Sequence, residues 1–230
     1  MIDPSRFQII VAHFNKDLRW LDAFAANTFV YSKGNLPADP KQYHRVETLP
    51  NIGRESHTIA HHIYHNYDDL SDVLLFTQDD IYNEDSEFWP HCNLPLTTMV
   101  EMALDTPEYG MTTYAAMKAT FKDWEGLWWI QYGEMQWLKV WGNSLTRARL
   151  SPAEFWNYLH GVEEHPRALH YHAHGLFAVR RETIRLKPRS FWARLLHYFE
   201  DLNAYNPEEG LYMERMWSAI FSDSHIIWSE

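Results

Sequence analysis

Two adjacent carboxylates, Asp79 and Asp80, follow the apolar run Asp72 to Thr77 (DVLLFT) with only Gln78 between them. A buried strand that ends on Gln78-Asp79-Asp80 sets two hard oxygen donors at the mouth of a sheet. There a divalent cation, Mn²⁺ or Mg²⁺, could bridge them to a diphosphate and neutralise the charge developing on a departing nucleoside diphosphate. An acidic pair at a strand end also caps turns, and both uses stand open on the sequence. The run His170-Tyr171-His172-Ala173-His174 sets three imidazoles on one face of an extended chain. His174, beside Gly175, is the candidate to complete a metal shell opposite Asp80, with a structural cluster as the alternative.

Further candidates are spread along the chain. The loop Asn51, Gly53, Arg54, Glu55 precedes an amphipathic stretch, so its amides and guanidinium could face an anionic donor at a helix N-terminus, although Arg54 could equally pair with Glu55 or Asp80 as scaffold. Asn15 and Asp17 end the first apolar run, where they could read a base or ribose or cap the helix that follows. Glu214, in Met213-Glu214-Arg215-Met216-Trp217, is a carboxylate among bulky apolar groups, suited to general-base duty or to a buried Glu–Arg pair. Arg180, Arg181, Arg185, Lys187, Arg189 and Arg194 place six of the 20 basic residues within fifteen positions. They could hold a phosphate or form a solvated surface. His57, His61, His62 and His65 suggest zinc, but no Glu follows His61 as HExxH requires, so packing or surface roles are expected. The single Cys92 excludes an internal disulfide and lacks the basic surroundings of a nucleophile.

The elements needed to position these residues can be read from apolar spacing. Phe7 to Phe14 reads as a buried strand, Asn15 to Asn27 as a helix, and Thr28 to Tyr31 as a second strand running into the turn Ser32-Lys33-Gly34-Asn35. A loop follows to about His44, then Leu49 to Ser56, an amphipathic helix through Tyr67, and the strand Asp72 to Thr77. Strands separated by crossovers, with polar residues at their carboxyl ends, predict a doubly wound α/β fold: a mainly parallel, mixed sheet flanked by helices, with ligand in the carboxyl-end crevice. Glu84 to Ser144, including the aromatic stretch Trp124 to Trp141, reads as helical and loop excursions covering that crevice. Ser151-Pro152-Ala153-Glu154 carries a capping box for a helix through His160. Tyr171 to Val179 reads as a further strand or a loop followed by a strand, with helices within Arg189 to Leu202 and Glu214 to Phe221. With 230 residues and 46% hydrophobic content, residues 1–230 suit a single domain. The net charge of −11 opposes general nucleic-acid binding, and no run approaches the ~20 apolar residues of a membrane span, so a cytoplasmic protein is expected.

Several segments resemble a mostly fungal family grouped as a domain of unknown function: Val11 to Leu21 (VAHFNKDLRWL), Tyr31 to Gly34, Leu49 to His62 (LPNIGRESHTIAHH), Tyr67 to Asp80, Gly175 to Pro188 and Glu214 to Phe221. The order of a first strand with a polar tip, an Asn-x-Gly loop before a helix and an apolar strand ending in acidic residues also resembles GT-A glycosyltransferases. That resemblance implies a Rossmann-like GT-A domain with Asp80 as metal ligand and Asp79 its neighbour. It further implies that Gly175 to Arg181 (GLFAVRR) lies on the acceptor or phosphate side through Gly175, Arg180 and Arg181, and that Glu214 is the base. Gln78 departs from the family pattern, standing first in the usual Asp-x-Asp triplet, and is placed with Asn15, Asp17, Asn51, Gly53 and Arg54 on the donor side. The expected activity is metal-assisted transfer of a sugar from a nucleoside-diphosphate donor to an acceptor that the residues do not name. The alternatives are a non-catalytic nucleotide- or carbohydrate-binding module, and an aminoacyl-tRNA-dependent transferase supported by the basic segment.

Overall fold

A computed structural model describes residues 3–81, 94–105, 111–113, 118–126, 145–172 and 175–228. Along the chain come β1 (Phe7–His13), a 3₁₀ helix (Arg19–Asn27), β2 (Thr28–Ser32), β3 (Arg45–Thr48), α1 (Arg54–Asn66), β4 (Val73–Gln78), α2 (Leu96–Asp105), β5 (Met111–Thr113), β6 (Lys118–Phe121) and β7 (Leu145–Thr146). The second half supplies α3 (Pro152–His160), β8 (Ala168–His172), β9 (Phe177–Arg180), α4 (Arg181–Ile184), α5 (Arg189–Leu202), β10 (Asn206–Pro207), α6 (Glu208–Phe221) and β11 (Ile226–Ile227).

The main sheet has the order β3-β2-β1-β4-β9-β5. Its first four strands are parallel, and β9 runs antiparallel to both β4 and β5. Alternation along the strands explains why both faces are covered. Ile10, Phe29, Tyr31, Leu74, Phe76, Phe177 and Val179 point to one core, shared with α1, α5 and α6. Ile9, Val11, Val30, Val73, Leu75 and Ala178 point to the other, shared with the 3₁₀ helix and α2. The fold is thus α/β, with a mainly parallel sheet flanked by helices. A three-stranded sheet, β11-β8-β6, and the short pair β10-β7 complete it.

Four sequence expectations are corrected. The segment after β1 is a 3₁₀ helix, not an α-helix. Nine residues rising about 2 Å each cover about 18 Å, more of the return along β1 than an α-helix of the same length would. β3 escapes sequence reading because its edge-strand residues are exposed or half-buried and form no apolar run. The strand or loop-strand expected over Tyr171 to Val179 holds the end of one strand, β8, and most of another, β9, in different sheets. α6 starts at Glu208, ahead of the expected Glu214 segment, behind Pro207, whose fixed φ suits a helix entrance. The capping box is present as read: the Ser151 hydroxyl accepts from the Glu154 amide and the Glu154 carboxylate from the Ser151 amide.

Three histidines of the helical layer, His57 and His62 buried and His160 half-buried, are held neutral. Burial is the main cause that draws His57 and His62 down to about 3 and His160 down to about 4. An unfolded imidazole takes its proton near pH 6.5, so below that pH the unfolded chain binds more protons than the folded one. Their contribution is therefore complete above about pH 6.5 and is lost as pH falls, by about 1 kcal/mol per histidine at pH 5.5. The buried carboxyls of Glu209 and Glu214, raised by desolvation, act in the opposite sense. His57, both of whose ring nitrogens lack hydrogen-bond partners among the described residues, isolates the effect. We predict that His57→Leu folds at pH 7.5 and flattens the decline in urea stability between pH 6.5 and 5.5; an unchanged slope would show that His57 does not titrate with unfolding.

Candidate functional site

Parallel strands β1 and β4 lie side by side, with β2 and β3 extending the sheet on one flank and β9 and β5 on the other. The strand order reverses between β1 and β4, and the carboxyl ends of strands at such a switch point leave a crevice. A cavity of about 290 Å³ opens there. Ala12, His13 and Phe14 line it from β1, Lys33 from the end of β2, Gln78 and Asp79 from β4, Asn51, Arg54 and Glu55 from the start of α1, and Tyr205 and Asn206 from the segment before α6.

The entrance to α1 sets the geometry. Gly53 is left-handed, φ 61°, and its amide donates to the Ala204 carbonyl at 2.8 Å. Arg54 follows in the same region, φ 50°, a strained conformation for a residue with a side chain. Lys33 Nζ donates to the Ile52 carbonyl at 2.6 Å and to the Arg54 carbonyl. Burial lowers the Lys33 ammonium to about 7 against the opposing pull of Glu55. The Arg54 guanidinium stands 3.7 Å from Glu55 Oε2 and 3.5 Å from Glu214 Oε1, and Arg215 completes the network at 3.1 Å from Glu214 Oε2. Burial raises the Glu214 carboxyl, and the charges of Arg54 and Arg215 pull it back. Glu55 is buried, and its Oε1 has no hydrogen-bond partner among the described residues.

Of the residues singled out in sequence, Asn51, Arg54, Gln78, Asp79 and the α1 entrance at Gly53 come together here. Gly175 joins them from β9's side: a methyl group on it would stand 2.7 Å from Glu55 Cγ. Glu214 does not line the cavity; it lies behind Arg54 and holds it. Asn15 and Asp17 border a second cavity of about 710 Å³, shared with Arg19, Asn35 and Tyr43, and His13 lines both. Asn15 Oδ1 accepts from the Asn35 amide at 2.7 Å, and Asp17 pairs with Arg19. Arg180 and Arg181 are placed elsewhere. Arg180 pairs in register with Val73, at the opposite end of β4 from Gln78, about 17 Å away at 3.3 Å per residue. Arg181 bonds Asp72 and the Leu70 carbonyl. Arg185 and Arg189 cap the Tyr67 and Tyr64 carbonyls at the end of α1, and Arg194 bonds the Leu159 carbonyl at the end of α3, a favourable place for cations.

The acidic motif is also engaged. Asp79 Oδ2 accepts from the amides of Phe14 and Lys16, and the Lys16 ammonium lies 3.2 Å from Asp80 Oδ2. His174 lies outside the described residues, as do Cys92 and most of Trp124 to Trp141. Among the described residues no group of three or more His, Cys, Asp or Glu side chains gathers to hold a metal ion. His61, instead of ligating, bonds Glu47 at 3.1 Å, and His62 bonds Tyr31 at 2.9 Å. Lys33, His13, Phe14 and Tyr205 were missed as site residues. The one legible signal was a lysine immediately after a buried strand, inside a segment that otherwise reads as a turn.

Fold and site define an α/β protein with a polar, cation-bearing crevice at the carboxyl edge of a mainly parallel sheet. Residues 9–229 match the family described as protein of unknown function, DUF3431, and the chain belongs to that family. No curated protein and no solved structure matches it. No helix among the described residues is long and apolar enough to cross a membrane.

The α1 entrance should tolerate no side chain at Gly53, where a Cβ would meet His57 Cβ and Phe199 Cγ at 2.8 Å in a left-handed conformation. Backbone strain and overpacking together predict that Gly53→Ala loses about 2–4 kcal/mol in urea unfolding; a loss under 1 kcal/mol would mean the entrance readily repacks.

Proposed function

We propose that this protein is a glycosyltransferase-like transferase that binds a nucleoside-diphosphate sugar in the crevice between β1 and β4. The observation that carries the reading is that two cations, the buried Lys33 and the half-buried Arg54, line one cavity at the N-terminus of a 13-residue helix. Desolvated guanidinium and ammonium groups beside helix-end amides suit the two phosphates of such a donor. The adjoining cavity bordered by Asn15 and Asp17 suits the nucleoside.

In this reading an acceptor hydroxyl loses its proton to Glu55, one of the cavity-lining residues, and its oxygen attacks the anomeric carbon. The bond from that carbon to the diphosphate breaks, and Arg54 and Lys33 stabilise the charge left on the departing phosphate. Glu214 is a positioning residue that keeps Arg54 oriented. No step is routed through Mn²⁺ or Mg²⁺. The engagement of Asp79 and Asp80 favours a second reading in which the same ligand class is bound without transfer, as in a binding module. In the basic segment that supported aminoacyl-tRNA, Arg185, Arg189 and Arg194 bond helix-end carbonyls and Arg180 stands at the opposite end of β4 from the crevice.

Thermal shift against a panel of nucleoside diphosphates, each with Mn²⁺ and with EDTA, tests the reading. One nucleotide should stabilise the fold, by about 2.7 kcal/mol at a hundred times its Kd. Its affinity should fall as pH rises through 7 to 8 while Lys33 loses its proton, and Lys33→Met should weaken binding about tenfold and remove that pH dependence. Glu55→Gln should keep binding and abolish sugar transfer. A flat response to every nucleotide would sink the proposal, and binding without turnover would select the module.

A further inference from the structure

We infer that Phe14 and Tyr205 form a ring-stacking subsite at the cavity mouth, receiving a flat or apolar ring face of the bound ligand. The inference rests on the donor-binding reading above and adds a recognition element to it. Phe14 is 44% exposed and Tyr205 51% exposed. They are the two exposed aromatics among the described residues that line this cavity. Their ring centroids stand 6.3 Å apart with an interplanar angle of 51°. Neither belongs to the core clusters on the two sides of the sheet, so folding does not explain why large rings occupy these positions.

Both rings are mounted on held backbone. The Phe14 amide is bound by the Asp79 carboxylate. Tyr205 stands between Ala204, whose carbonyl accepts from Gly53, and Asn206, which pairs with Leu145. Tyr205 is also within electrostatic reach of the Arg54 guanidinium. An anion at Arg54 would therefore bring the next part of its molecule against these two rings. Aromatic faces attract the polarised C–H groups of a sugar and stack on a nucleobase, and either gives gains that need no directional polar contact. The shared chemistry is a ring face; its source is the sugar or the base of the donor.

Three probes separate the possibilities: inorganic pyrophosphate, the nucleoside diphosphate that stabilises the protein, and the matching nucleoside-diphosphate sugar, each titrated by calorimetry. The proteins are wild type, Phe14→Ala, Tyr205→Ala, and the Leu variants at both positions, which keep apolar bulk without a ring. Pyrophosphate affinity should stay within about twofold in every variant, and ring-bearing probes should bind about tenfold more weakly per ring lost. A loss confined to the nucleotide sugar assigns the sugar ring, and a loss already present with the nucleoside diphosphate assigns the base. If all three probes bind the variants as they bind wild type, the subsite is overturned while the donor site stands. If wild type binds none of them, pyrophosphate included, both the donor site and the subsite fall.

Discussion

Arg54 carries a full charge into a position where its side chain is only 17% exposed, and the surrounding structure is arranged around that charge. A buried guanidinium without counter-charges would cost several kcal/mol. Glu55 and Glu214 supply those counter-charges, and Arg215 balances the second of them. The left-handed residues Gly53 and Arg54 deliver the chain into α1 in a conformation whose Ile52 and Arg54 carbonyls are taken up by Lys33. Gly210 faces the Arg54 stem, where a methyl group would come within 3.2 Å of Cδ. Residues after β2 and before β9, the start of α1, and α6 thus gather around Arg54 and Glu55.

The sheet makes this arrangement possible because it is buried on both faces. Alternating side chains commit each strand to two cores at once, which fixes register, since a slip of one residue would reverse every side chain. Register then decides which polar residues share an edge. Parallel β1 and β4 bring His13, Gln78 and Asp79 to the same end. Antiparallel β9 sends Arg180 to the other end and leaves Gly175, before its first residue, beside Glu55. Arg185, Arg189 and Arg194, after β9, consequently stabilise helix ends away from the crevice.

Carboxylates in this protein divide by what surrounds them. Asp79 ties the loop after β1 to the end of β4 through two amides, Asp80 holds the Lys16 ammonium, and Glu214 holds Arg54. Glu55 and Asp79 both line the cavity, and Glu55 Oε1, enclosed beside Gly175, has no hydrogen-bond partner among the described residues. Acidity in sequence therefore identified an important region, but the division between scaffold and chemistry follows from partners contributed by distant segments.

From the amino-acid sequence by itself one could read the α/β class, the three apolar strands β1, β2 and β4, the capped helix α3, the stretch that forms α5, and the gathering of polar residues at strand carboxyl ends. Local patterns suffice for these, because apolar period and capping chemistry act over a few neighbouring residues. Tertiary structure alone decided that β3 is an edge strand, that β8 and β9 part into different sheets, that Glu214 stands behind Arg54, and that Lys33, Phe14 and Tyr205 face one cavity. Each of these depends on pairings between residues far apart in the chain, whose energies come from burial and register and leave no trace in local spacing. A lysine in a turn and a tyrosine in a loop look ordinary until the fold encloses them.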